Sequence, residues 1–322
     1  MTKKVTIIDL AEASGVSKST ISRYLQGIST SPDKEAKIEK SIQELQYVRN
    51  SFARHLRNQE PNLIGVIVPD LDNPFFLKII KKLDQLAEAQ GSSLIVKTTK
   101  SDVETEKKAF RFIQGYLIRK IIVCRSELDE EAITQMAQAN NVVSIDRPYE
   151  NVHSVVSDNY KSGYLMASHL ADVEPGPLMF FARRKENISV LERIQGFKDR
   201  LKELNREAFE YRYGSKYTVD LKRLSQYVMD HGIRGIISRN DNDALKIVTY
   251  LNDLSNQGQI GKIRMAGFDN IDLSSRIVPR LTTIDQQIET MCECAFECVM
   301  DDSKPLQQIV QAGELIIRES TA

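Results

Sequence analysis

VTIIDLAEASGVSKSTISRYL, residues Val5 to Leu25, reads as two short helices joined at Gly15. Ile8 and Ala11 recur at helical spacing in the first segment, and Ile21 and Leu25 stand i, i+4 apart in the second, so each helix has one apolar stripe to bury. Glycine at the joint supplies the positive φ that the corner of a helix-turn-helix needs. Ser17 is placed to cap the second helix, whose first-turn amides favour a nearby phosphate. Lys18, Ser19, Thr20, Ser22 and Arg23 then lie along that helix as donors for base edges and phosphates in a DNA major groove, and Thr6 stands at the start of the first helix. A helical hairpin in any globular domain would share the two-helix pattern. The continuation narrows the choice: Ser31 as a cap, Pro32 at a first helical position and an Ile38, Ile42, Leu45 stripe predict a third helix, and three small helices can close one miniature core.

The stretch resembles the opening of the LacI/GalR family of bacterial repressors, and the resemblance continues beyond it. In that family the third helix is followed by tyrosine, any residue, proline, asparagine and a short helix ending in leucine. This chain has Tyr47, Val48, Arg49, Asn50 and then Ser51 to Leu56. The resemblance implies a hinge helix over Ser51 to Asn58, with Asn50, Ala53 and Arg54 against DNA and Leu56 inserted between base steps of the minor groove. Arg49 replaces the family proline, which removes a fixed φ and adds a cation. Charge agrees with this placement. The chain has 44 basic and 44 acidic residues, yet residues 1–60 carry an excess of three positive charges, and no acid interrupts Gln46 to Gln59 around Arg49, Arg54 and Arg57.

With 322 residues, 41% of them apolar, the chain has material for two or three domains. It contains no apolar run of the ~18 residues that a membrane span needs, and its opening MTKK lacks a secretory apolar core. A cytoplasmic protein without membrane contact is expected. Of the four cysteines, Cys124 falls in a predicted strand and Cys292, Cys294 and Cys298 in one late helix. Cys294 and Cys298 share a helix face, which suits a metal; without a second ligand cluster, free thiols, no metal and no cofactor are the expectation.

From Asn62 onward, short β-rich runs alternate with amphipathic helical segments. LIGVIV (from Leu63), SLIVK (from Ser93), KIIVC (from Lys120), NVVSI (from Asn141) and SVVS (from Ser154) form one series. PLMFFA (from Pro177), FEYRY (from Phe209), IRGIIS (from Ile233) and KIRMAGF (from Lys262) form a second. Two βαβ series imply two parallel sheets covered by helices on both faces, with the carboxyl ends of their strands toward a common cleft. The expected architecture is an all-α helix-turn-helix head plus an α/β body of two doubly wound parallel-sheet subdomains, of the periplasmic-binding-protein type that the resemblance implies. Residues 1–48 form the head, 49–60 the hinge and linker, and 61–322 the effector-binding and dimerisation body. Its first subdomain takes 61–157 plus 285–303, and its second 158–284 plus 304–322.

A sugar-sized ligand in such a cleft needs a few polar groups on loops after strands and an aromatic face. The resemblance assigns candidates residue by residue. Asn73 and Phe76 lie in the Asn-Pro-Phe-Phe segment after the first strand, Asp146 and Arg147 follow the fourth, and Asp158 and Asn159 the fifth. Arg193 opens the family's Arg-x-x-Gly-aromatic motif, with Gly196 and Phe197; Asn240 and Asp241 match its asparagine-aspartate pair, and Asp269 its glycine-aromatic-aspartate turn. Gln286 belongs to the crossover and Tyr217 is the candidate aromatic. Structural readings compete at several of these. Asp158 and Asp241 suit helix caps, Asp146 and Arg147 an ion pair at the subdomain interface, and Phe76 the core. Arg183, Arg184 and Lys185 could hold a phosphate or form an exposed basic turn.

A homodimer on near-palindromic operator DNA is the expected assembly, since no heptad helix is appended before Ala322. The expected function is a sequence-specific transcriptional regulator, a repressor of sugar uptake or catabolism genes controlled by a small sugar or sugar phosphate. A regulator governed by a protein partner such as a phosphocarrier is the alternative. Enzyme signatures are missing: there is no G-x-x-x-x-G-K-[ST] loop and no G-x-S-x-G elbow, and the four histidines lack zinc spacing.

Overall fold

The computed structural model describes residues 5–25, 28–47, 62–214 and 219–322, and the chain divides at Pro61 into two compact units. The first contains α1 (Ile7–Ser14), α2 (Lys18–Leu25) and α3 (Pro32–Glu44). Thr6 and Asp9 form a capping box at α1: Thr6 Oγ1 accepts from the amides of Ile8 and Asp9, and Asp9 Oδ2 accepts from the Thr6 amide at 2.7 Å. Gly15 ends α1 at φ 64°, returning its amide to Ala11 O at 3.1 Å. Leu10, Val16, Ile21 and Ile38 close the core, supported by Ile7, Ala11, Leu25, Ile42 and Leu45. Ile8 is therefore not part of the buried stripe. It is exposed, and Ile7, Leu10 and Ala11 form the stripe instead, because the helix turns its i, i+3, i+4 face from Ile7. Ser31 occupies the α3 cap position without a side-chain bond. Glu35 Oε1 accepts from the Thr30 amide just before the cap at 2.7 Å.

The second unit has two lobes, each a six-stranded sheet. In lobe one the strands are β1 (Leu63–Val68), β2 (Ser93–Thr98), β3 (Lys120–Cys124), β4 (Asn141–Ile145), β5 (His153–Ser157) and β11 (Gln308–Gln311), in spatial order β11-β5-β4-β3-β1-β2 and all parallel. Helices α4 (Pro74–Ala89) and α11 (Ile288–Met300) cover one face, and α5 (Val103–Gly115) and α6 (Glu130–Ala137) the other. Lobe two has β6 (Leu178–Arg183), β7 (Ala208–Tyr213), β8 (Gly235–Ser238), β9 (Arg264–Phe268), β10 (Thr282–Asp285) and β12 (Glu314–Ile316), in order β12-β10-β9-β8-β6-β7. Its faces are covered by α7 (Asn159–Val173) with α8 (Ile188–Glu203), and by α9 (Leu221–Asp230) with α10 (Asp241–Asn256). Only β12 runs antiparallel, against β10. Strands buried on both faces explain the near-continuous apolar runs.

The chain passes between the lobes three times, after β5, β10 and β11. This differs from the expectation that 304–322 belongs wholly to the second subdomain. Gln308–Gln311 pairs in register with Ser154 to Ser157 and so completes the first sheet. Its short QIVQ, alternately exposed and half-buried, has no long apolar run to announce a buried strand, which fits a sheet edge.

Candidate functional sites: a helix face and an interlobe junction

In the first unit, α2 is held by Ile21 in the core and by Tyr24, whose hydroxyl donates to Glu39 Oε1 of α3 at 2.7 Å. Ser17 caps it as expected, its Oγ accepting from the Thr20 amide at 3.3 Å. Ser17, Lys18, Ser19 and Arg23 are exposed, whereas Thr20 and Ser22 are half-buried. Thr6 is exposed but its hydroxyl is engaged in the α1 cap. A helix with Lys18 exposed in its first turn, Arg23 exposed in its last and hydroxyl groups along its length is suited to a groove lined by phosphates. The hinge candidates Asn50, Ala53, Arg54 and Leu56 lie outside the described residues, as does Tyr217.

The second candidate site is built where strand carboxyl ends of both lobes meet. Arg193 comes from α8, and α8 crosses α7 at backbone contact: a Cβ on Gly196 would stand 2.1 Å from Tyr160 O, and one on Gly163 2.1 Å from Arg193 O. That crossing fixes the arginine. Its Nε donates to Asn159 Oδ1 at 2.8 Å, its Nη1 to the Arg239 carbonyl at 2.8 Å, and its guanidinium lies 4.4 Å from the Phe268 ring centre. Asp269 follows β9 at φ 103°, with Oδ1 3.8 Å from Arg193 Nη1. Gln286 donates to the same carboxylate and accepts from the Ser157 hydroxyl at 3.0 Å, joining the ends of β9, β10 and β5. Arg193 and Asp269 are both 1% exposed. Arg193 Nη2 and Asp269 Oδ2 are nevertheless buried with no hydrogen-bond partner among the described residues. Burial raises the Asp269 carboxyl to about 6, against the opposing pull of Arg193 and Arg125.

Asp146, after β4, is bound by Arg125, whose Nε and Nη2 lie 2.6 and 2.5 Å from Oδ2. Its Oδ1 accepts from the Ser189 hydroxyl of lobe two at 3.1 Å. The interface ion pair is thus Asp146 with Arg125, not with Arg147, which turns to the Ser126 carbonyl at 2.5 Å and lies over Tyr149. Arg125 also lies 5.0 Å from the Phe76 ring centre and 5.7 Å from that of Phe75. Phe76 belongs to the core of lobe one with this guanidinium against it, and it offers no stacking face. Backbones at Arg125, Asp146, Asp269, Asn270 and Gln287 all have positive φ, between 45° and 103°. Such conformations at strand ends are a recurrent mark of functional clefts.

Other candidates are structural. Asn73 caps α4 and Asn240 caps α10. Asp241 lies outside the cluster of free groups: Oδ1 accepts from the Thr283 hydroxyl at 2.7 Å, and Oδ2 from the Ser274 hydroxyl at 2.6 Å and the Ile271 amide at 3.1 Å. Burial, then the charge of Asp269, push its carboxyl up to about 8. Gly267 makes room for it, since a Cβ there would meet Asp241 Oδ1 at 2.2 Å. Arg183 does not join a basic turn with Arg184 and Lys185. Its Nε donates to the Tyr213 hydroxyl at 3.2 Å, within a network in which Asp243 also holds Arg239 Nη1 at 3.3 Å and Lys246 at 2.6 Å.

Sequence reasoning passed over Arg125, Arg239 and Ser189. Arg125 and Arg239 each stand immediately after a recognised strand, which was the available signal. Among the described residues no helix is long and apolar enough to cross a membrane, and no three His, Cys, Asp or Glu side chains group as metal ligands.

Comparison with known proteins bears on both sites. Residues 62–304 match the family described as periplasmic binding proteins and sugar binding domain of LacI family, and residues 6–50 match bacterial regulatory proteins, lacI family. The chain is 26% identical to the HTH-type transcriptional regulator DegA of Bacillus subtilis, over 99% of its own length and 98% of the relative's. It is 25% identical to the ribose operon repressor of Halalkalibacterium halodurans, over 98% and 97%. Among solved structures, the lac repressor dimer bound to operator and an anti-inducer superposes with a TM-score of 0.82 at 22% identity, covering 99% of each chain.

Proposed function

This chain belongs to the LacI family of bacterial regulatory proteins, as a DNA-binding transcriptional regulator, and we propose that it represses sugar uptake or catabolism genes under the control of an uncharged sugar held between its lobes. One observation carries the ligand reading. A buried donor, Arg193 Nη2, and a buried acceptor, Asp269 Oδ2, have no hydrogen-bond partner among the described residues, on side chains whose Nη1 and Oδ1 lie 3.8 Å apart. Leaving both unsatisfied costs several kcal/mol, on the order of 1–3 for each group and more when charged. Adjacent hydroxyls answer both needs, because each can accept from the guanidinium and donate to the carboxylate.

Charge balance supports a neutral ligand over a sugar phosphate. Arg125 and Arg193 are matched by Asp146 and Asp269, and Arg183 lies 3.8 Å from the Asp243 carboxylate. A phosphate would find no uncompensated cation among these groups. On DNA, two copies related by a twofold axis would present their α2 helices to the half-sites of a near-palindromic operator. The similar lac repressor forms such a dimer on operator. Exposed Phe112, Tyr116 and Leu117 around the end of α5 give a second copy apolar surface to cover.

Titration calorimetry with D-ribose, D-galactose, D-glucose, sucrose and the corresponding phosphates tests the ligand reading. A neutral sugar should bind, and Arg193→Ala should weaken it ~100-fold or more, as loss of a buried charged hydrogen bond does. Binding by phosphates alone, or by nothing in the panel, would reject the proposal. Mapping bound DNA across the source genome should return near-palindromic sites beside sugar-uptake genes.

A further inference from the structure

Arg193 is gripped at Nε by Asn159 and at Nη1 by the carbonyl of Arg239, each at 2.8 Å. The first partner belongs to α7. The second belongs to the turn between β8 and α10, after the last strand residue Ser238 and before the helix cap Asn240. The Arg239 amide still donates to Phe181 O at 2.9 Å, whereas its carbonyl lies beyond the sheet and ahead of the helical ladder. The Arg239 side chain reaches the other way. Its Nε lies 2.7 Å from Glu186 Oε1 and its Nη1 3.3 Å from Asp243 Oδ2, with all three side chains buried. Glu186 stands in the turn after β6, where its Oε1 also accepts from the Arg183 amide at 2.7 Å, and it immediately precedes Asn187, the cap of α8. Asp243 lies in the first turn of α10 and is held as well by Lys246 at 2.6 Å and by the Tyr213 hydroxyl. Burial opposes the charge on Arg239, and Glu186 and then Asp243 more than offset it, so the guanidinium stays ionised.

We propose that Arg239 is a positioning residue of the ligand site: clasped by Glu186 and Asp243, it sets the carbonyl that receives Arg193 and thereby the direction of the unpaired Arg193 Nη2. The two arginines hold each other's elements. Arg193 reaches from α8 to the turn after β8, and Arg239 reaches from that turn to the entry of α8, so the spacing between the two is fixed at both ends and wholly within lobe two. A guanidinium is planar and rigid, so bonds at Nε and Nη1 leave Nη2 a single direction. Only a forked cation meets two acids on different elements at once, which the single ammonium of a lysine does not do with the same geometry. What Nη2 meets rests on the sugar reading; the clasp does not.

NMR of the full-length protein with isotope-labelled arginine tests this through exchange of the Nε protons with water, the Arg193 signal being identified by its loss in Arg193→Lys. Glu186→Gln combined with Arg239→Met removes the ion pair without stranding either charge, since Asp243 keeps Lys246 and Tyr213. In this variant the Arg193 Nε proton, slow to exchange in the wild type, should exchange about tenfold faster, the effect of losing one charged hydrogen bond. Arg125, whose Nε is bound to Asp146 in lobe one, should keep its wild-type rate. By calorimetry, the neutral sugar that binds the wild type should bind about tenfold more weakly, with little change in Tm. Glu186→Gln alone should show the same change to a smaller degree, and it provides the result if the double variant does not fold. An Arg193 proton as protected in the variants as in the wild type would overturn the proposal. Equal acceleration at Arg125 and Arg193 would overturn it too, because it would mark a general loosening. The two readings fail separately: if no sugar binds the wild type, the ligand reading falls and the exchange rates still decide the clasp.

Discussion

Asp269 and Asp241 are two buried carboxyls with opposite prospects. Asp269 retains an unpaired oxygen and Asp241 none. Folding raises both, from 3.8 to about 6 and about 8, chiefly through burial. An acid raised by folding favours the native state while protonated in it; that contribution is complete below the unfolded value and disappears as pH rises through the folded one. The body should therefore lose stability between pH 4 and 8, and calorimetric melting should give a lower Tm at pH 8.5 than at pH 6. Asp241→Asn should flatten that decline above pH 6. Ligand binding runs the other way, since hydroxyls donate best to an ionised Asp269. Affinity should fall as pH drops through about 6, and an Asp269→Asn variant with no such step, checked by calorimetry across pH, would tie the effect to this group. Residues of this kind were only half legible. Arg193 and Asp269 stood out by motif, but the sequence cannot say which of several acids after a strand has its oxygens already engaged. Asp241 fits inward only because Gly267 leaves it room, and Asp146 takes its partner from just after β3, twenty-one residues away, rather than from the neighbouring Arg147.

Among elements, the α7 and α8 pair shows why a glycine lies three residues after the key arginine. Gly163 and Gly196 let the two backbones meet, and no side chain separates them. Gly196→Ala would place a methyl 2.1 Å from Tyr160 O, and overpacking of this kind costs ~1–3 kcal/mol, occasionally more. The larger expected effect is functional: α8 shifts, Arg193 leaves Asn159, and sugar affinity falls by more than stability alone explains, which calorimetry beside a melting curve will separate. Regular elements were the legible part of the chain. Nine of the strands follow the β-rich runs from Leu63 to Phe268, and the head follows from Gly15 and Ser17. What escaped were features set by tertiary context. The phase of α1 depends on which turn faces Ile38, so that Leu10 and not Ile8 is buried, and β11 is a strand only because β5 offers it an edge.

At the scale of the molecule, both lobes are discontinuous, each completed by a segment that arrives after the other lobe has been entered. Deleting residues 306–322 removes β11 and β12 together. It should unfold both lobes while leaving the first unit intact, visible as retained amide signals for Val5 to Tyr47 in a two-dimensional NMR spectrum. The same connectivity has a consequence for synthesis on the ribosome. The first unit can fold soon after it emerges, with its core closed by residue 47, whereas the first sheet lacks its last strand until β11 has been made and the second until β12 has. For most of translation the nascent chain would thus carry a finished DNA-reading head and an unfinished sensor. Release of the last twenty residues, not the emergence of the head, is then the moment at which the regulator becomes answerable to its signal.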